Sequence, residues 1–145
     1  MMTKILFSIT LVLATLLSAC GGGSDNTPVG PTQLQITDNL MGTGATAVAG
    51  NTLTVNYTGW LYDAAAAQNH GKQFDTSIGR APFSFKLGAG QVIAGWDQGM
   101  VGMKVGGKRT LIIPSALGYG SSIVGGGLIP PNSALVFDVE LLSVQ

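Results

Sequence analysis

The 145-residue sequence holds one histidine and one cysteine, so few of its side chains could act as nucleophile, base or metal ligand. His70 lies in an alanine-rich stretch, DAAAAQNHG at 63–71. This stretch has good helix formers but no apolar face large enough to dock a helix, and it reads as an exposed excursion between strands with one helical turn at most. Without a second histidine or a cysteine to share an ion, no metal site is expected. No serine has a histidine placed to activate it. The glycine groups do not follow a strand and open a helix as phosphate-binding loops do, and no lysine stands where such a loop would need it. No cofactor is called for. Seven basic side chains balance seven acidic ones, and the two-residue step Lys108-Arg109 is too small to form a nucleic-acid site. The chain supplies aromatic rings instead: Tyr57, Phe74, Phe83, Phe85, Trp96, Tyr119 and Phe137. They form either the core of a small β-rich domain or the lining of an apolar cleft with a few polar groups, and composition does not separate the two.

The elements that must position these rings are legible in the periodicity. Within residues 88–103, GAGQVIAGWDQGMVGM, the side chains Ile93, Trp96, Met100 and Met103 recur at a spacing that gathers them on one face of a short helix. Asp97 near its start and Lys104 near its end suit the helix dipole. Gly95, Gly99 and Gly102 each cost roughly 1 kcal/mol against alanine, so the helix must be held by what it packs on. The other periodic segments, 33–37, 52–62, 72–77, 82–87, 108–113 and 133–144, read as strands. Leu53, Val55 and Tyr57 take the core side of one; Leu135, Phe137, Val139 and Leu141 take that of the last, with Asp138 and Glu140 on a solvated outer side. Residues 39–50 and 115–127 read as loops, the second glycine-rich around Tyr119. Five or six antiparallel strands with one short helix covering a sheet face make an α+β domain.

The N-terminus carries a separate signal. Lys4 precedes a mostly apolar run at 5–17, too short for the roughly 20 residues a bilayer span needs, and small residues follow. LSAC at 17–20 resembles the lipobox of bacterial lipoproteins, in which the cysteine is lipidated; a plain signal peptide or a single-pass anchor are the other readings. Cys20 has no partner for an internal disulfide, which attachment to lipid would explain. Glycine rather than aspartate follows it, which by that resemblance favours the outer membrane of the cell envelope, with the domain facing the periplasm. Residues 1–19 are then the signal peptide, 20–32 the lipidated cysteine and a Gly- and Pro-rich flexible tether, and 33–145 the domain. Without Lys4 six basic and seven acidic side chains remain, so the exported chain is nearly neutral.

Order and spacing say more about the rings than composition does. VNYTG at 55–59, KQFDTS at 72–77, PFSFKLG at 82–88, QVIAGW at 91–96, LGYG at 117–120 and IPPNSALVFDVELL at 129–142 resemble, in this order, the FK506-binding-protein family of peptidyl-prolyl isomerases. The resemblance covers residues 33–144 and implies a half-barrel antiparallel sheet wrapped on the short helix. It also implies a pocket with Trp96 as floor and Tyr57, Phe74, Phe83, Val92, Ile93 and Phe137 as walls. Ile129, with Leu128 a weaker candidate, would come from the loop before the last strand. The Ile93 backbone N–H and the Tyr119 hydroxyl would donate to substrate carbonyls, and Asp75 would sit beside the twisting amide. The expected partners are proline-containing polypeptides, FK506- or rapamycin-type macrolides and, through the N-terminal lipid, a membrane; a monomer is expected. A peptide-binding or chaperone module with weak or no isomerase activity is the rival reading. Residues 62–71 are longer than in the smallest family members, and the loop at 121–127 has a glycine run in place of aromatic or charged side chains.

Overall fold

The computed structural model describes residues 29–145. The expected signal peptide, Cys20 and the expected tether as far as residue 28 lie outside the described residues. Among the described residues the longest strand, β2 (Thr52–Tyr62), follows β1 (Gln35–Leu40) and precedes β3 (His70–Thr76), β4 (Phe83–Lys86), the one α-helix α1 (Ala94–Gly99), β5 (Lys108–Ile113) and β6 (Leu135–Val144). The sheet is antiparallel, in the order β1-β5-β6-β2-β3, and β4 pairs with β2 off that path. One edge of β2 is therefore used twice: Thr52 to Val55 pair with β4, and Thr58 to Tyr62 with β3. The expected α+β sheet with one short helix is observed.

Alternation sets the two faces. Leu53 and Val55 of β2, Leu111 and Ile113 of β5, and Leu135, Phe137, Val139 and Leu141 of β6 are buried, and with Phe85, Leu87, Trp96 and Met100 they form the core beneath the helix. β1 is exposed along its whole length. It extends to Leu40, three residues past the alternating run at 33–37, with a register shift between Asp38 and Leu40. An edge strand with no buried face leaves no apolar pattern to mark its end, so pairing with β5 decides it.

The helix has six residues and is shorter than the apolar spacing suggests; Met100 caps it and Met103 lies in the following turn. Its glycines have a packing reason. A Cβ on Gly95 would lie 2.4 Å from Cγ2 of Ile113, and one on Gly99 would lie 2.8 Å from a methyl of Leu111, so the helix backbone rests directly on β5. Asp97 accepts from the backbone N–H groups of Gly88 (2.8 Å) and Gly90 (3.1 Å), which folds the preceding turn onto the helix. At the other end the cation is Arg109, not Lys104. Its Nη1 donates to the carbonyls of Gly99 (2.8 Å) and Val101 (3.1 Å), while Nε and Nη2 fork the Asp38 carboxylate at 2.6 and 3.2 Å. One buried guanidinium thus ties the helix end to β5 and β1.

Two segments differ from their plain sequence character. Ala67–Asn69 form a 3-10 turn in which Gln68 and Asn69 have φ of 55° and 59°, and this turn delivers His70 onto the sheet. There the imidazole stacks on Trp60 (centroids 3.8 Å apart, planes 4° apart) with Nε2 3.5 Å from Asp138, so His70 is packed and not exposed. Asp138 also accepts from the Thr110 hydroxyl at 2.6 Å, so it is only half solvated. Ahead of residue 33, Val29 bridges Ser133 and Gly30 packs on the Tyr62 ring.

Gly95→Ala is expected to destabilise the protein by about 1–3 kcal/mol through overpacking against Ile113, even though alanine is the better helix former by about 1 kcal/mol. The urea midpoint should fall at unchanged m-value; a raised midpoint would show that Ile113 yields.

Candidate functional site

Side chains from four strands, the helix and two connecting segments converge where α1 faces the sheet. Tyr57 comes from β2, Phe74 and Asp75 from β3, Phe83 from β4, Gln91, Val92 and Ile93 from the turn before α1, Trp96 from α1, Tyr119 from the loop after β5 and Phe137 from β6. Together they line a cavity of about 180 Å³. A hollow of about 280 Å³ lies on the outer face of the sheet, among Asn39, Asn56, Thr58, Lys108, Asp138 and Glu140. Tyr57 is its one aromatic lining residue, against six in the smaller cavity, so the smaller cavity is the candidate site.

Trp96 is buried at the bottom, and three of the other rings meet it edge-on. Centroid distances to Tyr57, Phe137 and Phe83 are 5.2, 5.3 and 6.1 Å, with interplanar angles of 83°, 87° and 74°. Phe74 meets Phe137 the same way at 5.5 Å and 86°. The cup is rigid because its walls are also core: Phe137 and Trp96 are each 4% exposed. The Trp96 indole N–H is buried with no hydrogen-bond acceptor among the described residues. Gly59 makes the wall possible. A Cβ there would lie 2.7 Å from both the Phe137 and Phe74 rings, so the glycine in the middle of β2 is a packing requirement.

The lip is charged. The Tyr57 hydroxyl donates to Asp75 Oδ2 at 2.5 Å; Arg80 Nη2 donates to Asp75 Oδ1 at 2.6 Å and also to the Thr76 carbonyl; the Thr76 N–H donates to Oδ1 at 2.9 Å. Partial burial would by itself raise the Asp75 carboxyl, but the hydrogen bonds from Tyr57, Arg80 and Thr76 and the Arg80 charge outweigh it and hold the group below the usual aspartate range. For Tyr57, burial and then the hydrogen bond and charge of Asp75 push the phenol up to about 12. Burial, with the Asp75 charge second, also raises Tyr119, which stays a protonated donor at neutral pH.

All the residues named from the motifs except Leu128 and Ile129 line this one cavity. Ile129 is buried and lines an adjoining hollow of about 170 Å³ with Phe74, Asp75, Tyr119, Val124, Gly125 and Leu128. Ile93 stands immediately before α1, its carbonyl accepting from the N–H groups of Trp96 (2.9 Å) and Asp97 (3.3 Å). The sequence reading missed Arg80, Gln91 and the role of Gly59. Arg80 lies within a turn five residues after Asp75, a spacing that carries no signal until the turn is folded. Gln91 is fixed by accepting from the Lys86 N–H at 2.9 Å.

Comparison with known proteins agrees with this geometry. Residues 44–142 match the family model for FKBP-type peptidyl-prolyl cis-trans isomerase. An FK506-binding protein of Neisseria meningitidis serogroup B is 51% identical over 112 residues, covering 77% of this chain and 95% of the relative. One from Streptomyces anulatus is 49% identical over 115 residues, covering 79% and 88%. Among solved structures, FkpA from Escherichia coli superposes with a TM-score of 0.65 at 44% identity, over 79% of this chain and 49% of that one. AtFKBP13 superposes with a TM-score of 0.66 at 40% identity, over 81% and 98%. A cup of edge-on rings over one helix, the matched family model and relatives alike over nearly their whole length lead to one conclusion: the chain belongs to the FKBP-type peptidyl-prolyl cis-trans isomerases.

Proposed function

We propose that this isomerase turns X-Pro bonds inside the aromatic cup, with the proline ring over Trp96 between Tyr57, Phe83 and Phe137. The single observation that carries the reading is the edge-on ring packing around Trp96, with a saturated carboxylate at the lip. Phe74 and Val92 complete the walls, and Ile129 supports them from the adjoining hollow. The carbonyl before the proline turns toward Asp75 and Tyr119, where the Ile93 N–H and the Tyr119 hydroxyl donate to substrate carbonyls.

Rotation about the C–N bond must give up amide resonance, a barrier of roughly 18–20 kcal/mol, and no bond is made or broken. A nucleophile or metal has no task in such a step. The planar amide is more polar than the twisted one, so an apolar cup disfavours the ground state more than the transition state, and preorganised donors act in the same direction. An acceleration of about 10⁵-fold needs roughly 7 kcal/mol of differential stabilisation. Asp75 is not a proton carrier here. With Tyr57, Arg80 and Thr76 all donating to it, it serves as a fixed negative charge beside the rotating bond.

The cellular setting follows from the sequence. The substrates are proline-containing polypeptides of the bacterial envelope. The protein is exported by residues 1–19, lipidated at Cys20 and held as a monomer on the outer membrane facing the periplasm. The names of the relatives support binding of FK506-type macrolides in the same cup, and a rapamycin-type macrolide would take the same place. Incorporation of labelled lipid at Cys20, abolished by Cys20→Ser, tests the anchor independently of the activity.

Isomerisation of a short X-Pro peptide, followed with and without FK506, tests the cup. Phe137→Ala should lower kcat/KM by at least about tenfold, and Tyr119→Phe by a smaller factor for the loss of one hydrogen bond. Normal turnover in folded Phe137→Ala protein would sink the assignment, and drug binding without turnover would favour a peptide-binding module.

The pH dependence follows from Asp75. Its folded-state pKa lies below the unfolded value of about 3.9, so its contribution to stability is fully present above that value and is lost as pH falls through the folded one. Thermal scans should show a wild-type decline on the acid side that is shallower in Asp75→Asn. Equal slopes in the two proteins would refute the network's role.

A further inference from the structure

Beside the cup, and sharing Tyr57 and Phe83 with it, lies a hollow of about 280 Å³ whose other walls are Ser77, Arg80, Ala81 and Pro82. Arg80 is its one charged lining residue. The Asp75 and Thr76 contacts both fall on Nη2, so among the described residues the donors on Nη1 and Nε are left over from a guanidinium that carries five. The Asp75 pair holds the group in place, and the Arg80 side chain is 62% exposed and open to a ligand. The other walls offer little competition. The Ser77 hydroxyl accepts from the Tyr57 N–H at 2.9 Å and donates to Asn56 at 3.1 Å, and Pro82 has no N–H.

A fixed cation among mostly apolar walls, next to the seat of a proline ring, suits a carboxylate. Given the proposed seating, the residue before the proline leaves toward Tyr119 and the chain after it leaves past Phe83. We propose that this hollow is a specificity subsite that takes an acidic side chain one to three residues after the proline, with Arg80 as its recognition residue. The cup and the hollow share the Tyr57 and Phe83 walls, and each extended residue spans about 3.3–3.6 Å, so a chain leaving the cup over Phe83 enters the hollow in its first few residues. Asp75 keeps Nη2 while the incoming carboxylate accepts from Nη1, so recognition leaves the Asp75 contact in place.

The test uses the full-length protein and matched X-Pro peptides with Glu or Gln at the first, second or third position after the proline, and one pair with the acid before it. Glu should be favoured over Gln in kcat/KM by about three- to five-fold at one of the following positions, the range an exposed ion pair supports. The ratio should approach one at about 1 M salt, where the Debye length is about 3 Å. It should be lost in Arg80→Gln and retained in part in Arg80→Lys. Should Arg80→Gln not fold, the wild-type salt dependence and Arg80→Lys still decide. A wild-type ratio of one at all three positions, a preference only for the acid before the proline, or a preference that survives Arg80→Gln would overturn the proposal. Failure of both peptides of every pair to isomerise would instead overturn the reading of the cup on which it rests.

Discussion

The close contact of helix backbone on β5 is the constraint on which the site depends. A six-residue helix makes fewer than two turns and has no stability of its own. Its position comes from Gly95 and Gly99 resting on Ile113 and Leu111, where any side chain would push it away. Arg109 then takes the carbonyls at its end, and Asp97 draws in the turn at its start. Fixed on these sides, α1 sets Trp96 at the depth where rings from β2, β4 and β6 reach it edge-on. Moving the helix outward by the width of a methyl group would open the floor of the cup.

The two arginine–aspartate pairs show how the same chemistry does two jobs. Arg109 and Asp38 have side chains 8% and 34% exposed, and the guanidinium also satisfies two helix carbonyls. Such a pair gains little net stability after desolvation, and its use is to fix geometry. Arg80 and Asp75 are 62% and 42% exposed, where an ion pair contributes about 1 kcal/mol or less. Their use is the field they make at the lip. The short Tyr57 bond joins that lip to the aromatic floor, so the charge is placed by the same ring that packs on Trp96.

Much of this was legible in the sequence, for identifiable reasons. β2, β5 and β6 have one buried face, and alternation records it. The helix reads too long because Met100 and Met103 keep the apolar spacing through a turn in which Gly102, at φ of 81°, has already left the helical region. β1 ends where pairing ends, which no burial pattern reports. Lys108 and Arg109 look like one basic step, yet the pleat sends them to opposite faces and buries only the second. His70 among alanines looks exposed until pairing with β2 brings it onto Trp60. Most of the cup residues were found through the order of their motifs, because spacing along the chain reflects the topology that brings them together. Arg80 and Gln91 escaped because their importance lies in partners that only folding supplies.

Floor and lip also divide the requirements of the reaction. Amide rotation needs the proline ring held still while the group before it swings, so one side of the site must be stiff and the other open. Trp96 and Phe137 are 4% exposed and locked into the core, whereas Phe83, Tyr119 and Leu128 are 39%, 36% and 44% exposed. The loop over the adjoining hollow carries Gly125, Gly126 and Gly127 at φ of 63°, 66° and 102°, backbone that other residues rarely adopt. The shape of that loop is therefore written in its backbone, and its glycines bring no side chains with which to read a substrate. The side chains at this end come from Tyr119, Val124 and Leu128, which line the hollow with Phe74, Asp75 and Ile129. The hollow that shares Tyr57 and Phe83 with the cup has Arg80 as its charged lining residue, whereas the charged residue lining this one is Asp75, so the cup is flanked by recesses of opposite charge.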